Sequence, residues 1–159
     1  MATKKSDAPT QTEKLREIKL HHVLSFQLAQ ASIVSDALFM KHVGHTLDLR
    51  QAEYTLLALV TESPGSTSAK LAKALSVTAP NITAWVDRLE ARALLRRERS
   101  ESDRRAQMLH ATQKGKQLVN TAMTKLLKAE KDALKSLSNI EQTTLIELLH
   151  KVATLRSEI

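Results

Sequence analysis

The sequence predicts a mainly α-helical fold that contains one small β-hairpin. Only 3 of its 159 residues are glycine and 3 are proline, so few positions interrupt a helix. Long stretches rich in Ala, Leu, Lys, Glu and Gln carry apolar residues at helical spacing. Two short segments, residues 94–99 and 106–111, instead flank a charged, turn-like stretch, which is typical of a two-stranded hairpin.

Composition narrows the class of protein before any motif is considered. The formal net charge is +7 and there is no cysteine, which excludes disulfides, thiolate metal sites and cysteine redox switches. A basic balance attracts polyanions, and nucleic acid is the default partner, although many soluble proteins are simply basic. No signal peptide or membrane span is recognisable, so we expect a cytoplasmic protein without a membrane partner.

The N-terminal region predicts a tail followed by one long helix. Residues 1–9 read as a disordered tail, and Thr10 with Glu13 has the form of a capping box. The helix that it opens carries an apolar stripe down to about residues 42–44. A stripe of this length needs a large partner surface, often a second subunit.

Three shorter elements follow. A helix is expected to begin near Asp48, which with Gln51 resembles a capping box, and residues 63–66 form a loop. Thr67 is expected to cap a short helix over residues 68–75. Thr78 is expected to cap the next helix, with Pro80 in its first turn, where the missing amide costs nothing.

The C-terminal part predicts two more helices. Thr112 is expected to cap a long one, and Ser138 with Glu141 forms a capping box that opens the last. The last helix has one apolar face, made of Leu145, Leu148, Leu149, Val152 and Leu155.

Two short helices followed by a hairpin form the layout that places one helix in a DNA major groove. The second of these helices has an apolar side that must pack inward: Ile82, Trp85, Val86 and Leu89. Its other side offers Asn81, Ala84 and Arg88, with Thr78 and Pro80 at the front. Asn can pair with adenine, and Arg with guanine or phosphate. The alternative is an ordinary amphipathic helix.

The predicted hairpin tip carries Asp103, Arg104 and Arg105. A narrow minor groove concentrates negative potential and favours an inserted arginine, and Asp103 could orient one guanidinium. A solvated charged turn is the alternative. Further basic residues lie on both sides of the tip: Arg92, Arg96, Arg97, Arg99, Lys114 and Lys116.

Residues 48–115 resemble the winged-helix core of the MarR family of bacterial regulators. The matching stretches are residues 71–77, 81–90, 93–97, 103–105 and 112–115. The resemblance implies a winged helix-turn-helix DNA-binding domain at 47–116, an N-terminal dimerisation helix at 10–46 and C-terminal dimerisation helices at 117–159. It also implies a homodimer that binds a palindromic double-stranded operator and represses transcription.

The resemblance and the helix faces together give the expected DNA contacts: Ser68, Thr78, Pro80, Asn81, Thr83, Arg88, Asp103, Arg104 and Arg105. Arg105 would be the minor-groove arginine. Ser76 and Ala93 stand where the family often has glycine. Each would cost roughly 1 kcal/mol if the backbone there were left-handed.

Similar regulators often release DNA when a small aromatic acid or a related metabolite binds between the dimerisation helices and the winged domain. The resemblance therefore implies a small-molecule effector here, for which we select candidate residues: His21, His22, Ser25, Phe26, Ile33, Tyr54 and Leu57. Each of them could instead be an ordinary core or surface residue.

Three other classes of function would each require different features in the sequence. A metal-responsive regulator would use His42 and His45, but Gly44 lies between them and cysteine is absent, so we expect no metal and no cofactor. An enzyme would need a phosphate-binding glycine loop, a nucleophile elbow or a pair of carboxylates in an apolar setting, and the sequence shows none of these. A winged helix that binds protein or RNA remains an alternative.

Overall fold

The computed structural model describes residues 18–99 and 107–157. The expected tail at 1–9 and the capping box of Thr10 and Glu13 lie outside the described residues. The chain divides after Ile33 into two compact units. Within the first unit, the Gln27 side chain donates to the carbonyl of His21 at 2.9 Å, and Ile18 and Ile33 are 78% and 61% exposed.

The described chain is mainly helical with one small sheet, which confirms the predicted fold class. Its elements are α1 Leu24–Phe39, a π-helical turn Met40–Gly44, α2 His45–Leu47, α3 Gln51–Glu62, β1 Ser66–Thr67, α4 Ser68–Leu75, α5 Ala79–Ala91, β2 Leu95–Arg99, β3 Gln107–Ala111, α6 Gln113–Ala133, α7 Asn139–Thr154 and a 3₁₀ turn Leu155–Ser157. None of the helices within these ranges is both long enough and apolar enough to span a bilayer.

The junction between α2 and α3 differs from the expected capping box. Asp48 is left-handed (φ 48°) and ends the helical stretch, which extends to Leu47 rather than stopping at residues 42–44. The next helix begins at Gln51, and Glu53 accepts a hydrogen bond from the backbone N–H of Arg50 at 3.2 Å. The prediction that Asp48 and Gln51 start this helix is therefore wrong, because Glu53 is the acid that reaches back to the first turn.

The sheet contains the predicted hairpin and one strand that was not predicted. β2 and β3 pair antiparallel from Leu95↔Ala111 to Arg99↔Gln107, and β1 pairs with the other edge of β3. With two residues, β1 is too short to show the alternating pattern from which strands are recognised. It leads directly into α4, whose N-cap Thr67 accepts from the Lys70 N–H at 3.3 Å as expected.

The core forms where α3, α5, α6 and the sheet meet. Leu57, Val60, Ile82, Leu109 and Ala122 come from these four elements and are all 0% exposed. Because each element contributes one apolar face to this cluster, their orientation is set mainly by burial.

The start of α6 is anchored to the turn that follows α5. The Thr112 hydroxyl caps α6 by accepting from the Gly115 N–H at 3.0 Å and donates to the Ala93 carbonyl at 2.8 Å. A Cβ at position 115 would lie 2.0 Å from the Leu94 carbonyl oxygen, so only glycine permits this approach. The predicted cap by Thr112 is confirmed, and a glycine is required at position 115 because any larger residue would clash with the Leu94 carbonyl.

Two turns place non-glycine residues in the left-handed region. Ser76 follows α4 with φ 53°, and Ala93 lies two residues beyond α5 with φ 55°. At each site the next residue, Val77 or Leu94, donates its N–H to the carbonyl five residues back, at 3.1 and 2.9 Å, which is the Schellman arrangement. These are the two positions where the family resemblance implied glycine, so the strain considered above is present.

The last helix begins as predicted. The Ser138 hydroxyl accepts from the Glu141 N–H at 3.3 Å, and Glu141 accepts from the Ser138 N–H at 2.7 Å. The Ser138 hydroxyl also donates to the Glu141 carboxylate at 2.8 Å, and this bond, together with the one from the Ser138 N–H, lowers the pKa of the Glu141 carboxyl. The apolar face of α7 is not covered by any described part of the chain: its leucines and Val152 are 39–53% exposed.

We expect Ala93→Gly to raise the free energy of unfolding by about 0.5–1 kcal/mol. Removing the Cβ relieves a left-handed strain of about 1–2 kcal/mol, which the greater freedom of glycine in the unfolded chain offsets by about 0.4–1 kcal/mol. Urea unfolding measures the change. Ala84→Gly, at an exposed position inside α5, is the control and should lower stability by about 1 kcal/mol; equal losses in both variants would contradict the assignment of strain.

Candidate nucleic-acid interface

Helix α5 has one buried side and one open side. Ile82, Val86 and Leu89 are 0% exposed, which confirms the predicted inward face for these three. Trp85 is only half-buried and packs at the edge of the core. The helix is therefore held by its aliphatic residues, while the indole remains accessible.

The open side of α5 presents small and polar groups at its N-terminal end. Thr78, Pro80, Asn81 and Thr83 are all exposed, and Ser68 at the start of α4 is half-buried. Thr78 occupies the N-cap position as expected, but its hydroxyl makes no capping hydrogen bond. Pro80 does lie in the first turn. This end of the helix can approach base edges because no bulky side chain covers it.

Arg88, the last predicted contact on α5, is tied to the protein itself. Its Nε donates to the Glu53 carboxylate at 2.5 Å, and Glu53 is 4% exposed. The Arg88 side chain remains 39% exposed. A carboxylate so deeply buried needs a charged partner, so the first role of Arg88 is to neutralise Glu53, while part of the Arg88 side chain stays open to solvent.

The β2–β3 hairpin and its connecting residues are called the wing. Several arginines near the wing also bind acidic side chains or backbone carbonyls of the protein itself. Arg97 binds Asp87 and Glu90 of α5, the latter at 2.8 Å, and Arg96 pairs with Glu98. Arg92 donates through Nη2 to the Leu47 carbonyl at 3.1 Å. The expectation that these residues form a free basic approach to DNA is therefore too simple, since the fold uses much of their charge.

Asp103, Arg104 and Arg105 lie outside the described residues. The ladder that leads to them is described up to the pair Arg99↔Gln107. Their assignment to the minor groove stays a prediction from the sequence.

The candidate effector residues are found in different settings. His21 and His22 are exposed and pack edge to face, with ring centroids 5.3 Å apart. Ser25 is exposed and Phe26 half-buried. Leu57 is 0% exposed, which leaves it no surface for a ligand.

Tyr54, the remaining candidate in the second unit, lies beside the core. Its ring contacts Phe39, with centroids 5.6 Å apart. Burial, together with the nearby Glu130 carboxylate, raises the pKa of the Tyr54 phenol, and burial also raises the pKa of Glu130. The phenol therefore stays protonated at neutral pH and can donate a hydrogen bond.

A cleft beside α5 was not foreseen. This Trp85 cleft measures about 360 Å³ and is lined by Asp36, Gln51, Ala52, Thr55, Leu75, Val77 and Trp85. None of the candidate effector residues lines it. The signal in the sequence was Trp85 itself, a large aromatic at the margin of an apolar face.

Metal ligands do not converge in the described part of the chain. No group of three or more His, Asp or Glu residues there could hold a metal ion. His42 is half-buried and His45 exposed.

The pairing of Glu53 with Arg88 is the functional feature that sequence reasoning missed. Glu53 falls on the same face of α3 as the buried Leu56, Leu57 and Val60. A carboxylate at an apolar position signals a buried charge that needs a partner, but the partner lies 35 residues away and could not be named from spacing.

The fold and this surface define a winged-helix DNA-binding protein. The chain belongs to the MarR family, whose model matches residues 49–106. It is 30% identical over 135 residues to a putative transcriptional regulatory protein for the hcr operon of Thauera aromatica, covering 85% of this chain and 81% of that protein. The family consists of DNA-binding transcriptional regulators, not enzymes.

Two solved structures share the fold over nearly their whole length. The transcriptional repressor CouR, bound to a 23-mer DNA duplex, matches with a TM-score of 0.78 and 29% identity, over 88% of this chain and 99% of that one. The transcriptional regulator BldR from Sulfolobus solfataricus matches with a TM-score of 0.74 and 30% identity, also over 88% and 99%.

We expect Arg88→Ala to lower the free energy of unfolding by about 2 kcal/mol. The variant leaves the buried Glu53 charge unpaired, and the cost falls below the 3–5 kcal/mol of a fully buried pair because Arg88 is partly solvated. Denaturant unfolding measures the loss. Adding Glu53→Gln to Arg88→Ala should recover at least half of it, because the uncompensated charge is then gone.

The control is Arg96→Ala, which breaks a more exposed ion pair with Glu98 and should cost less than about 1 kcal/mol. Equal losses in Arg88→Ala and Arg96→Ala would contradict the buried pair.

Proposed function

We propose that the protein is a homodimeric transcriptional repressor that binds a pseudo-palindromic operator and is released from it by a small-molecule effector. The observation that carries this proposal is helix α5, whose aliphatic side is buried while Thr78, Pro80, Asn81 and Thr83 are open to solvent. A helix held in this way within a winged domain fits the major groove.

Exposed apolar residues support the dimer. The exposed large hydrophobic residues of the described chain all fall within residues 18–40 and 123–155, and none falls between them. The winged domain therefore buries its own large apolar side chains, whereas the terminal helices keep exposed apolar faces that a second copy can cover. Two symmetric recognition helices would then meet half-sites about one helical turn, roughly 10 base pairs, apart.

The similarity to CouR supports repression. That protein is a transcriptional repressor, and the structure similar to this chain holds it on duplex DNA. A dimer seated across successive grooves occupies the operator and blocks access to it.

The Trp85 cleft supports an effector, which we propose to be an aromatic acid or a derivative of one. Leu75, Val77 and Trp85 give the cleft an apolar wall beside the recognition helix, and its volume lies at the lower end for small-molecule sites. A planar ring against the indole would press on α5 directly. Its acidic group would face solvent, because Asp36 lies in the lining.

The alternatives make different predictions for binding. A protein or RNA module would show no preference for one duplex sequence, whereas an operator should bind tightly, with steep salt dependence and far above random duplex. A metal-responsive regulator would need metal for binding or for release. Gel-shift titration of the operator and of random duplex, with and without a chelator, separates the three.

We expect Asn81→Ala to weaken operator binding roughly 5- to 150-fold, because a bidentate base contact provides about 1–3 kcal/mol. Random duplex should bind as before.

Arg105→Ala should weaken operator binding markedly while the dimer stays folded, because a minor-groove charge is lost. Gel-shift titration measures both.

The control for Asn81→Ala is Asn120→Ala, the same change at an exposed position on α6. If Asn81→Ala binds the operator like this control, α5 is not the reading helix.

We expect Leu145→Glu to convert the dimer into monomer at micromolar concentration, because the new charge would be buried in the interface without a partner. Sedimentation velocity measures the oligomeric state. Ile146→Glu, one residue away and turned by about 100° around α7, introduces the same charge off the apolar face and should remain dimeric. If both variants are monomeric, or if both remain dimeric, the apolar face of α7 does not form the dimer interface.

We expect benzoate-type acids to change the emission of Trp85, the only tryptophan of the chain, and to weaken operator binding. The ring would lie against the indole and displace α5. Ala52→Leu should fill the Trp85 cleft and abolish both responses while operator binding persists. Ala133→Leu, at the exposed end of α6, is the control; an unchanged response in Ala52→Leu would place the ligand elsewhere.

A further inference from the structure

A second cleft, the basic cleft, lies between the end of the first helical stretch and the C-terminal half of α6. It measures about 450 Å³. One wall carries Lys41, His42 and Thr46, and the other carries Lys125, Lys128 and Asp132, with Ala129 completing the lining. None of these residues belongs to the proposed DNA-reading surface or to the Trp85 cleft, so the functions described above leave this cleft without a role.

The charge of the basic cleft is unbalanced. Lys41, Lys125 and Lys128 face a single carboxylate, that of Asp132. No ion pair shorter than 4.0 Å joins any of the three lysines to an acid within the described ranges, whereas Arg88 and Arg97 each have an acidic partner. A concave surface with net positive charge concentrates anions.

The first wall stands on an unusual and well-held backbone. Met40–Gly44 forms a π-helical turn, a rare element that is frequent at functional sites. Phe39 and Val43 are 2% and 0% exposed, so the core fixes this turn from behind while Lys41 and His42 project from it. The Thr46 hydroxyl donates to the His42 carbonyl at 2.7 Å, which leaves the cationic and imidazole groups as the donors available to a ligand.

The second wall is set by the spacing along α6. Lys125 and Lys128 are three residues apart and share one face of the helix. Ala129 lies beside them and is 5% exposed. Its small side chain leaves room between two ammonium groups that can bind the same multiply charged ligand.

The segment that forms the first wall also contacts the end of the recognition helix. Arg92, at the C-cap of α5, donates to the carbonyls of Leu47 and Asp48, which directly follow the residues of this wall. Lys114, near the start of α6, donates to the Arg92 carbonyl at 3.0 Å. Arg92 is therefore hydrogen-bonded to the residues that follow the first wall and to the start of α6, the helix whose C-terminal half forms the second wall.

We propose that the basic cleft binds a small hydrophilic polyanion, such as a phosphate ester or a tricarboxylate, and that binding lowers operator affinity through Arg92. The ligand is not aromatic, because Ala129 is the only apolar residue in the lining. Drawing α6 and residues 41–46 together shifts the carbonyls that hold Arg92, and α5 moves with it. The coupling rests on the proposed DNA-binding function, whereas ligand binding by the cleft does not.

The binding experiment uses the full chain, with citrate as the probe and calorimetry at constant ionic strength. Wild-type protein should bind citrate saturably, and Lys125→Gln/Lys128→Gln should weaken binding at least tenfold. The control is Lys131→Gln/Lys135→Gln, which removes the same charge from neighbouring positions outside the lining and should change the affinity less than twofold. Absence of saturable binding by the wild type, or equal losses in both double variants, overturns the site.

The coupling experiment measures operator affinity with and without saturating citrate, again at constant ionic strength. Citrate should weaken operator binding at least threefold in the wild type and leave it unchanged in Lys125→Gln/Lys128→Gln. Arg92→Lys should still bind citrate but lose the response, because lysine cannot hold both carbonyls in the same fork. The coupling is overturned if citrate leaves the operator affinity of the wild type unchanged, or if it weakens operator binding by Arg92→Lys as much as it weakens binding by the wild type. If the wild type binds no operator, the proposed function fails, and calorimetry still decides the site.

Discussion

The architecture of the candidate DNA-binding surface depends on the neutralisation of one buried carboxylate, that of Glu53. Its two oxygens accept from the backbone N–H of Arg50, the N-cap of α3, and from Arg88 on α5, so a single side chain sets where α3 begins and how α5 lies against it. Because a buried carboxylate is tolerated only with its partners in place, the pairing acts as a restraint on orientation as well as a contact. Helix α5 is thus held on its buried side, while Thr78, Pro80, Asn81 and Thr83 remain exposed.

Backbone geometry imposes a second restraint where α5, β2 and α6 meet. Ala93 takes a left-handed conformation there, Gly115 allows α6 to touch the Leu94 carbonyl, and Thr112 binds the carbonyl of Ala93. The residues that give this chain its family resemblance near the wing are therefore largely residues that shape this junction. They hold the turn between α5 and β2 against the start of α6, which directly follows β3.

The positive charge of the chain is divided between structure and recognition. Arg88 and Arg97 are paired with acids and Arg92 with backbone carbonyls, which stabilises the winged domain but removes part of their charge from the surface. The lysines of the basic cleft have no such partners among the described residues. A polyanion and duplex DNA would consequently act on different groups, with Arg92 linking the two.

Local features of the sequence determined the elements of the fold. The spacing of Ile82, Val86 and Leu89 identified the buried side of α5, and hydroxyl caps marked the starts of α4, α6 and α7, because caps and helical faces depend on residues three or four positions apart. Only the tertiary structure decided what distant residues do to one another. It paired Arg88 with Glu53 and added β1 to the hairpin, since both outcomes depend on contacts between residues far apart in the chain. It also made Asp48 an end of one helix instead of the start of the next, where the Asp48 carbonyl accepts from Arg92.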